Sequence, residues 1–232
     1  MTMDTAEREL YARSVFAALP TGEVSLLREA VVDDPIAAIA LWFELQGATN
    51  AVTDALAVLA PMQREVGVGI DPEFGRVTFP TLDETTLAAV RRALSHELVG
   101  ASHAMLDLAC AHARGRIQFD VPIATFQAVR HRLADSRVAM DAAKAAIGGA
   151  WAVGDDFTAM VAKATAGRSA RVVARHCQQV LAGIGFTAEH PFHTFFRRIL
   201  VLDHLAGDYR SLTREIGATL LRQHALPPTI PL

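Results

Sequence analysis

The stretch 84–114 limits the fold more than any other part of the chain. Leu87, Val90, Leu94, Leu98, Ala101, Met105 and Leu108 recur there at helical spacing, with no strong breaker before Gly115. Capped by Asp83, such a helix runs roughly 45 Å at about 1.5 Å per residue. A rod of that length needs long neighbours, and the sequence provides them. Residues 124–147 carry Phe126, Val129, Leu133, Met140, Ala143 and Ile147 mostly three and four apart, and Gly148-Gly149 predicts a stop. Further helices are predicted over 155–182, opening at Asp155-Asp156, over 191–205, and over 209–225 before Pro227-Pro228. Upstream, the pattern predicts helices over 5–19, 24–32, from Asp34-Pro35 to about Gly47, and over 50–59 before Pro61. Between these groups, Val66-Gly-Val-Gly-Ile70 and Arg76-Val-Thr-Phe79 are short, β-branched and punctuated by Gly, which suits a residual hairpin. The expected fold is all-α. It comprises a short N-terminal helical unit (1–63), a remnant linker or hairpin (64–83) and a C-terminal helical bundle (84–232).

Composition narrows the function. With 51% hydrophobic residues in 232, the chain is globular rather than disordered, and a net charge of −3 creates no field that would gather nucleic acid. Only Lys144 and Lys163 of the 22 basic residues are lysines, so the cations are guanidinium groups suited to forked contacts with phosphate or carboxylate. Cys110 and Cys177 fall inside predicted helices and form no CxxC, which argues against a disulfide framework or a zinc site and for a reducing compartment. The polar start MTMDTAEREL is unlike a secretory signal, and the longest apolar run, 35–43, is too short to span a bilayer. A cytoplasmic location away from the membrane is expected.

Residues read singly say little about chemistry. Arg116, directly after Gly115, presents a fork at a helix corner, and Phe119 adds a flat apolar face, a pairing suited to a pyrophosphate. Gln127 and Gln179 alone are polar helix residues, and Gly183 and Gly185 alone are a helix stop. His190 and His193 flank a proline with no third ligand near in sequence, and His131 stands apart, so no metal site is expected.

Together these residues form a pattern. Residues 115–135, GRIQFDVPIATFQAVRHRLAD, resemble the R-x-x-F-x-x-P-I-x-x-F-Q-x-V-x-H-x-L-A-D motif of acyl-CoA dehydrogenases. Residues 179–198, QVLAGIGFTAEHPFHTFFRR, are similar to that family's Q-x-x-G-G-x-G-F-T-x-E-H run ending in R-R, with Ala182 standing where the family has its first Gly. Residues 95–108 resemble the preceding helix, and Trp42 to Gly47 with Ala55 to Leu59 look like part of the N-terminal α-domain. The resemblance implies that Arg116, Phe119, Gln127, Gln179 and Gly183 contact the adenosine and pyrophosphate half of a neighbouring protomer's FAD. It also implies that Arg91 lies near the substrate end of a site.

The same comparison shows two departures. The family takes its catalytic glutamate from one of two positions, which here are Ala206 and Val90, so no catalytic residue is assigned. Glu97 and Asp208, the nearest carboxylates, are displaced from the place a general base would occupy. The segment 64–83 is also too short for the family's central β-domain, since an independent domain needs about 50 residues or more. The expectation is a non-catalytic subunit that completes the FAD cradle of a heteromeric acyl-CoA dehydrogenase. A full-length partner chain would hold most of the FAD, the base and a bulky, steroid-type acyl-CoA. The alternative is a flavin-free homo-oligomer that binds CoA thioesters or serves as an interaction protein on the same bundle.

Overall fold

The computed structural model describes residues 3–67 and 70–224. Val68, Gly69, Ala225 and the Pro227-Pro228 tail, on which some of the expectations above fall, lie outside the described residues. The all-α reading holds: helices dominate, with two very small antiparallel hairpins. The N-terminal helices are α1 (Thr5–Ala18), α2 (Ser25–Asp33), α3 (Pro35–Thr49) and the single turn α4 (Leu56–Leu59). A hairpin of β1 (Gln63–Glu65) and β2 (Arg76–Thr78) follows, with Gln63 opposite Thr78 and Arg64 opposite Val77. The bundle consists of α5 (Glu84–Gly115), a second hairpin of β3 (Ile117–Gln118) and β4 (Val121–Pro122), then α6 (Gln127–Val153), α7 (Asp156–Leu181), α8 (Phe192–His204) and α9 (Tyr209–Gln223).

Short acidic caps start most of these helices where the sequence places them. Asp34, Asp83 and Asp155 accept the backbone N–H groups of Ala37, Thr86 and Thr158 at 3.0, 2.9 and 2.8 Å, satisfying donors that have no partner inside the helix. Asp4 and Glu7 complete a reciprocal capping box at α1.

α5 is the axis of the molecule. From Ala88 to Ser102 nearly every residue is buried, including Arg91, Arg92, His96 and Glu97, because α3, α6, α7 and α8 surround it. α3 crosses it at a contact between backbones. A Cβ on Gly100 would fall 2.0 Å from the Glu44 carbonyl oxygen, and one on Gly47 would fall 2.1 Å from that of Glu97. One turn away, Glu97 and Arg198 form an ion pair with no solvent exposure of either side chain. Arg198 Nη2 also donates to the Ala51 carbonyl at 2.8 Å, and its guanidinium lies 4.0 Å from the centre of the Phe74 ring.

Three predicted boundaries differ from the structure, each for a packing reason. The helix expected over 50–59 shrinks to α4, because Asn50 takes a left-handed conformation (φ 56°) that ends α3, and Ala51 turns its carbonyl to Arg198. The expected strand at 66–70 is displaced to β1. Asp71 then turns the chain by accepting the N–H groups of Glu73 and Phe74, which delivers the buried Phe74 to Arg198. α6 runs through Gly148-Gly149 to Val153. Each helix-interior glycine costs only about 1 kcal/mol, and the extra turn docks Trp151, whose indole N–H donates to His96 at 3.0 Å and whose ring lies 4.7 Å under the Arg92 guanidinium. Gly154, at φ 84°, ends the helix instead.

Replacing Gly100 by Ala is expected to lower unfolding free energy by about 3 kcal/mol, through overpacking of a backbone contact, while Gly148→Ala, which meets nothing within 4 Å, raises it slightly; urea titrations of both variants check this.

Candidate functional site

At the far end of α5 the chain leaves the helix at Arg116, whose backbone N–H still donates to the His112 carbonyl at 2.8 Å. It then makes the β3–β4 hairpin, which periodicity alone does not announce. The two loop residues, Phe119 and Asp120, both have positive φ (53° and 61°), as a type I′ hairpin turn requires. Gly or Asn would relieve that turn, yet Phe119 occupies it, 87% exposed at the tip. Its ring meets Phe126 edge to face at a centroid separation of 6.1 Å, which fixes the direction in which it projects.

Behind this hairpin lies a cleft of about 750 Å³. Arg116 and Phe119 form one side, α6 contributes Val129 and Arg132, and the end of α7 and the turn after it contribute Gln179, Ala182 and Gly183. The structure thus gathers four of the five predicted cofactor residues. Gln127, the fifth, is exposed at the first position of α6, while its neighbours Phe126 and Ala128 line the cleft. The walls carry Arg116, Arg132, His112 and two glutamines, and no carboxylate. Arg116 and Arg132 have no hydrogen bond or ion pair through their side chains among the described residues, so both guanidinium groups are free to meet an anion. His112 titrates below the usual histidine range, first because it is partly buried and then because His190 and Arg116 repel its charged form.

Arg132 and His112 were not among the predicted residues. The signal for Arg132 is helical spacing: it lies three residues beyond Val129, on the face of α6 that the motif already places at the cleft.

The glycine-rich turn that follows α7 has a conformational reason for its composition. Ala182 adopts φ 53°, ψ −135°, a region that glycine enters freely and other residues enter only under strain. Gly183 faces open space, for a Cβ there would meet nothing within 4 Å, so a ligand in the cleft could approach its backbone.

The other end of the bundle holds the remaining predicted positions. Val90 is fully buried. Arg91, expected near a substrate, holds the Asp156 carboxylate through Nη1 at 2.7 and 2.6 Å and donates from Nε to the Ala206 carbonyl at 3.2 Å. Ala206 and Gly207 both have positive φ (55° and 102°). The fully buried Lys163 donates to the carbonyls of Asp203 and Gly207 at 2.9 and 3.2 Å, so two cations grip the turn that carries Ala206. Glu97 is the buried partner of Arg198, and Asp208 caps α9 by accepting from Arg210 and Ser211. His96 and Glu97 point to different neighbours, as adjacent helical residues must. Among the described residues no group of three His, Cys, Asp or Glu side chains could hold a metal ion, and no helix is long and apolar enough to cross a membrane.

Residues 81–221 match the family described as "Acyl-CoA dehydrogenase, C-terminal domain", which is more than half of the chain. The chain belongs to the acyl-CoA dehydrogenase family. Among curated relatives, the acyl-CoA dehydrogenase IpdE2 of Mycobacterium tuberculosis is 30% identical over 175 residues, covering 75% of this chain and 52% of that protein. The bovine mitochondrial short-chain specific acyl-CoA dehydrogenase is 29% identical over 146 residues, covering 54% and 35%. The chain therefore spans about half the length, or less, of these relatives. Among solved structures, butyryl-CoA dehydrogenase from Megasphaera elsdenii superposes with a TM-score of 0.56 at 25% identity, covering 59% of this chain and 37% of that one. A variant of the Tcur3481-Tcur3483 steroid ACAD superposes with a TM-score of 0.76 at 17% identity. The alignment covers 95% of this chain and 98% of that one, so the two share the fold at nearly the same length.

Two measurements follow from the site geometry. Ala182→Gly is expected to raise stability by about 1 kcal/mol, since relief of a strained φ, about 1–3 kcal/mol, exceeds the entropy cost of a glycine; a thermal melt reads this as an upward shift. Lys163 is held down to about 8 by burial, below its ordinary 10.5. In that window the unfolded chain keeps the proton that the folded chain has lost, so stability rises from pH 8 to 10.5 relative to Lys163→Met. Parallel denaturation curves across that range should show the unfolding free energy of the wild type climbing relative to that of the variant.

Proposed function

We propose that this chain is a non-catalytic subunit of a heteromeric acyl-CoA dehydrogenase, completing the FAD cradle of a full-length partner. The observation that carries the reading is the cleft behind the β3–β4 hairpin. It brings Arg116, Phe119, Gln179 and Gly183 together, while the two positions from which the family draws its base carry Val90 and Ala206. The cleft suits the adenosine and pyrophosphate half of FAD. It has free guanidinium groups for the diphosphate, an aromatic face, a glutamine and an open glycine backbone, and no carboxylate to repel the anion. Arg116 would pair with the pyrophosphate, Phe119 would cover an apolar part of the cofactor, and Gln179 would donate or accept a hydrogen bond. FAD, when bound, supplies the hydride acceptor for α,β-dehydrogenation of an acyl-CoA.

The flavin ring and the proton-abstracting base belong, in this reading, to the partner. Only residues 60–83 separate α4 from α5, too few for an independent domain, and the described residues among them form the β1–β2 hairpin and the loop that carries Phe74. The fold shared with nearly the whole of a chain in the Tcur3481-Tcur3483 steroid ACAD supports a subunit of this kind and a bulky, steroid-type CoA thioester as substrate.

The projecting hairpin supports the role in assembly. Phe119, Ile117 and Val121 are exposed apolar residues on a turn whose backbone is already set, an arrangement that favours insertion into another chain over solvation.

Co-expression with the full-length acyl-CoA dehydrogenase encoded nearest to it tests the reading. The two chains are expected to co-purify with a flavin absorption spectrum, and this chain alone is expected to be colourless. Arg116→Gln is expected to weaken FAD retention in the complex by about 10- to 100-fold, the loss of one charge-assisted contact of about 1.5–3 kcal/mol. A yellow protein from this chain alone, or a partner whose flavin content does not depend on it, would overturn the reading. A stable colourless homo-oligomer that ignores the partner would favour the flavin-free alternative.

A further inference from the structure

The wall of the cleft on α6 carries none of the four residues assigned above to FAD. It is built from the first turns of that helix, where Ala128 and Val129 line the cleft four and three residues before Arg132 and so share its face. Arg132 closes the row. Its backbone carbonyl accepts the Ser136 hydroxyl at 2.8 Å and the His176 ring N–H at 3.1 Å, so the turn that carries it is tied to α7. Ser136 is fully buried and His176 nearly so. His176 precedes Gln179 by three residues, which sets the Arg132 turn beside the part of α7 that delivers Gln179 to the same cleft.

Exposed arginines without a partner occur elsewhere on the described surface, so the lack of one does not single Arg132 out. Its position does so. Arg130, two residues earlier and about 200° around the helix, is also exposed and makes no side-chain hydrogen bond or ion pair among the described residues, yet it does not line the cleft. Arg116 reaches the cleft from the corner after α5 and Arg132 from α6, so guanidinium groups on two different elements face one space with no carboxylate on its walls. His112 lines the cleft too, but burial holds it below the usual histidine range and leaves it uncharged at neutral pH, so the positive charge of the walls rests on the two arginines. Each guanidinium can hold one phosphoryl group through a forked contact. A monophosphate satisfies one of them, and a diphosphate satisfies both.

We propose that Arg132 is a second phosphate-binding residue of this cleft, and that with Arg116 it makes the chain by itself a site for an adenosine diphosphate group in preference to a monophosphate. The proposal rests on the flavin reading for its natural ligand, which would be the adenosine diphosphate half of FAD. Coenzyme A carries the same group, so the two sources share one chemistry at these walls. A site with two charge-assisted contacts and no partner chain holds its ligand weakly and loses it on purification, which keeps the chain alone colourless. Arg132 thus acts before assembly, as a phosphate anchor that needs nothing from the partner.

Isothermal titration of the full chain with ADP and with AMP reads the preference. ADP is expected to bind about ten-fold more tightly than AMP, with affinity falling as salt rises. Arg132→Gln is expected to weaken ADP by about ten-fold, the loss of one charge-assisted contact, and AMP by less than about three-fold, so the preference goes with the side chain. Arg132→Lys should restore part of the ADP affinity, since it returns the charge without the fork. Arg130→Gln removes the same charge from another face of α6 and is expected to change neither affinity. Both side chains are exposed, so all these variants should keep the circular dichroism spectrum of the unaltered chain. No saturable binding of ADP by the chain alone, equal affinity for ADP and AMP, or equal losses in the Arg130 and Arg132 variants would overturn the proposal. In the complex with a full-length partner, Arg132→Gln is expected to weaken FAD retention by about ten-fold. If it instead weakens coenzyme A and leaves FAD retention unchanged, the phosphate clamp stands and coenzyme A is its ligand. The flavin reading fails on a different result, a complex whose flavin content does not depend on this chain.

Discussion

The buried pair of Glu97 and Arg198 holds together parts of the chain that are far apart in sequence. Glu97 lies on the central helix and Arg198 on α8; the same guanidinium binds the Ala51 carbonyl at the end of α3 and stacks on Phe74 from the loop between the β1 and β2 strands. Removing one partner of such a pair leaves an uncompensated charge in the interior, whereas the intact pair adds little net stability. Its value is in specifying which elements meet. The Gly47–Gly100 crossing works in the same place by shape, since it admits α3 to the surface of α5 at one register only. Charge and shape thus fix the N-terminal helices on the bundle, and the two ends of α5 lie in different environments.

Those ends divide the chemistry. At one, Arg91, Lys163 and Asp156 immobilise the turn that carries Ala206, and the cations there are satisfied within the chain. At the other, Arg116 and Arg132 face a cleft with no side-chain partner among the described residues. A cation satisfied by its own chain contributes to the fold, while a free cation beside an apolar wall is available to a ligand or to another protein.

Much of this was legible in the sequence. The long helices follow from apolar periodicity and aspartate caps, and both are local properties. The cleft residues Arg116, Phe119, Gln179 and Gly183 were found through motif spacing. Other features depended on contacts between distant residues. Gly148-Gly149 reads as a stop, yet Trp151 has a place to dock against His96, and tertiary packing outweighs the glycine penalty. Glu97 reads as an ordinary polar residue until Arg198, a hundred positions away, closes over it. The β3–β4 turn is obscured because Phe119 and Asp120 occupy positions where Asn and Gly would have announced it. Arg132 escaped notice because its role comes from a face shared with Val129 and from the neighbouring helix, with no motif of its own.

The short connection between α4 and α5 also bears on how the protein folds. Joining two helical units through a segment of this size keeps their effective concentration high, and the entropy lost in closing such a loop grows only as the logarithm of its length. Because Phe74 from that loop is itself packed against Arg198, the loop is anchored at its middle, and the two halves of the chain are drawn into contact by a tether shorter than the sequence count suggests. The N-terminal helices and the bundle should therefore melt as a single cooperative unit, with no separate transition for the smaller part.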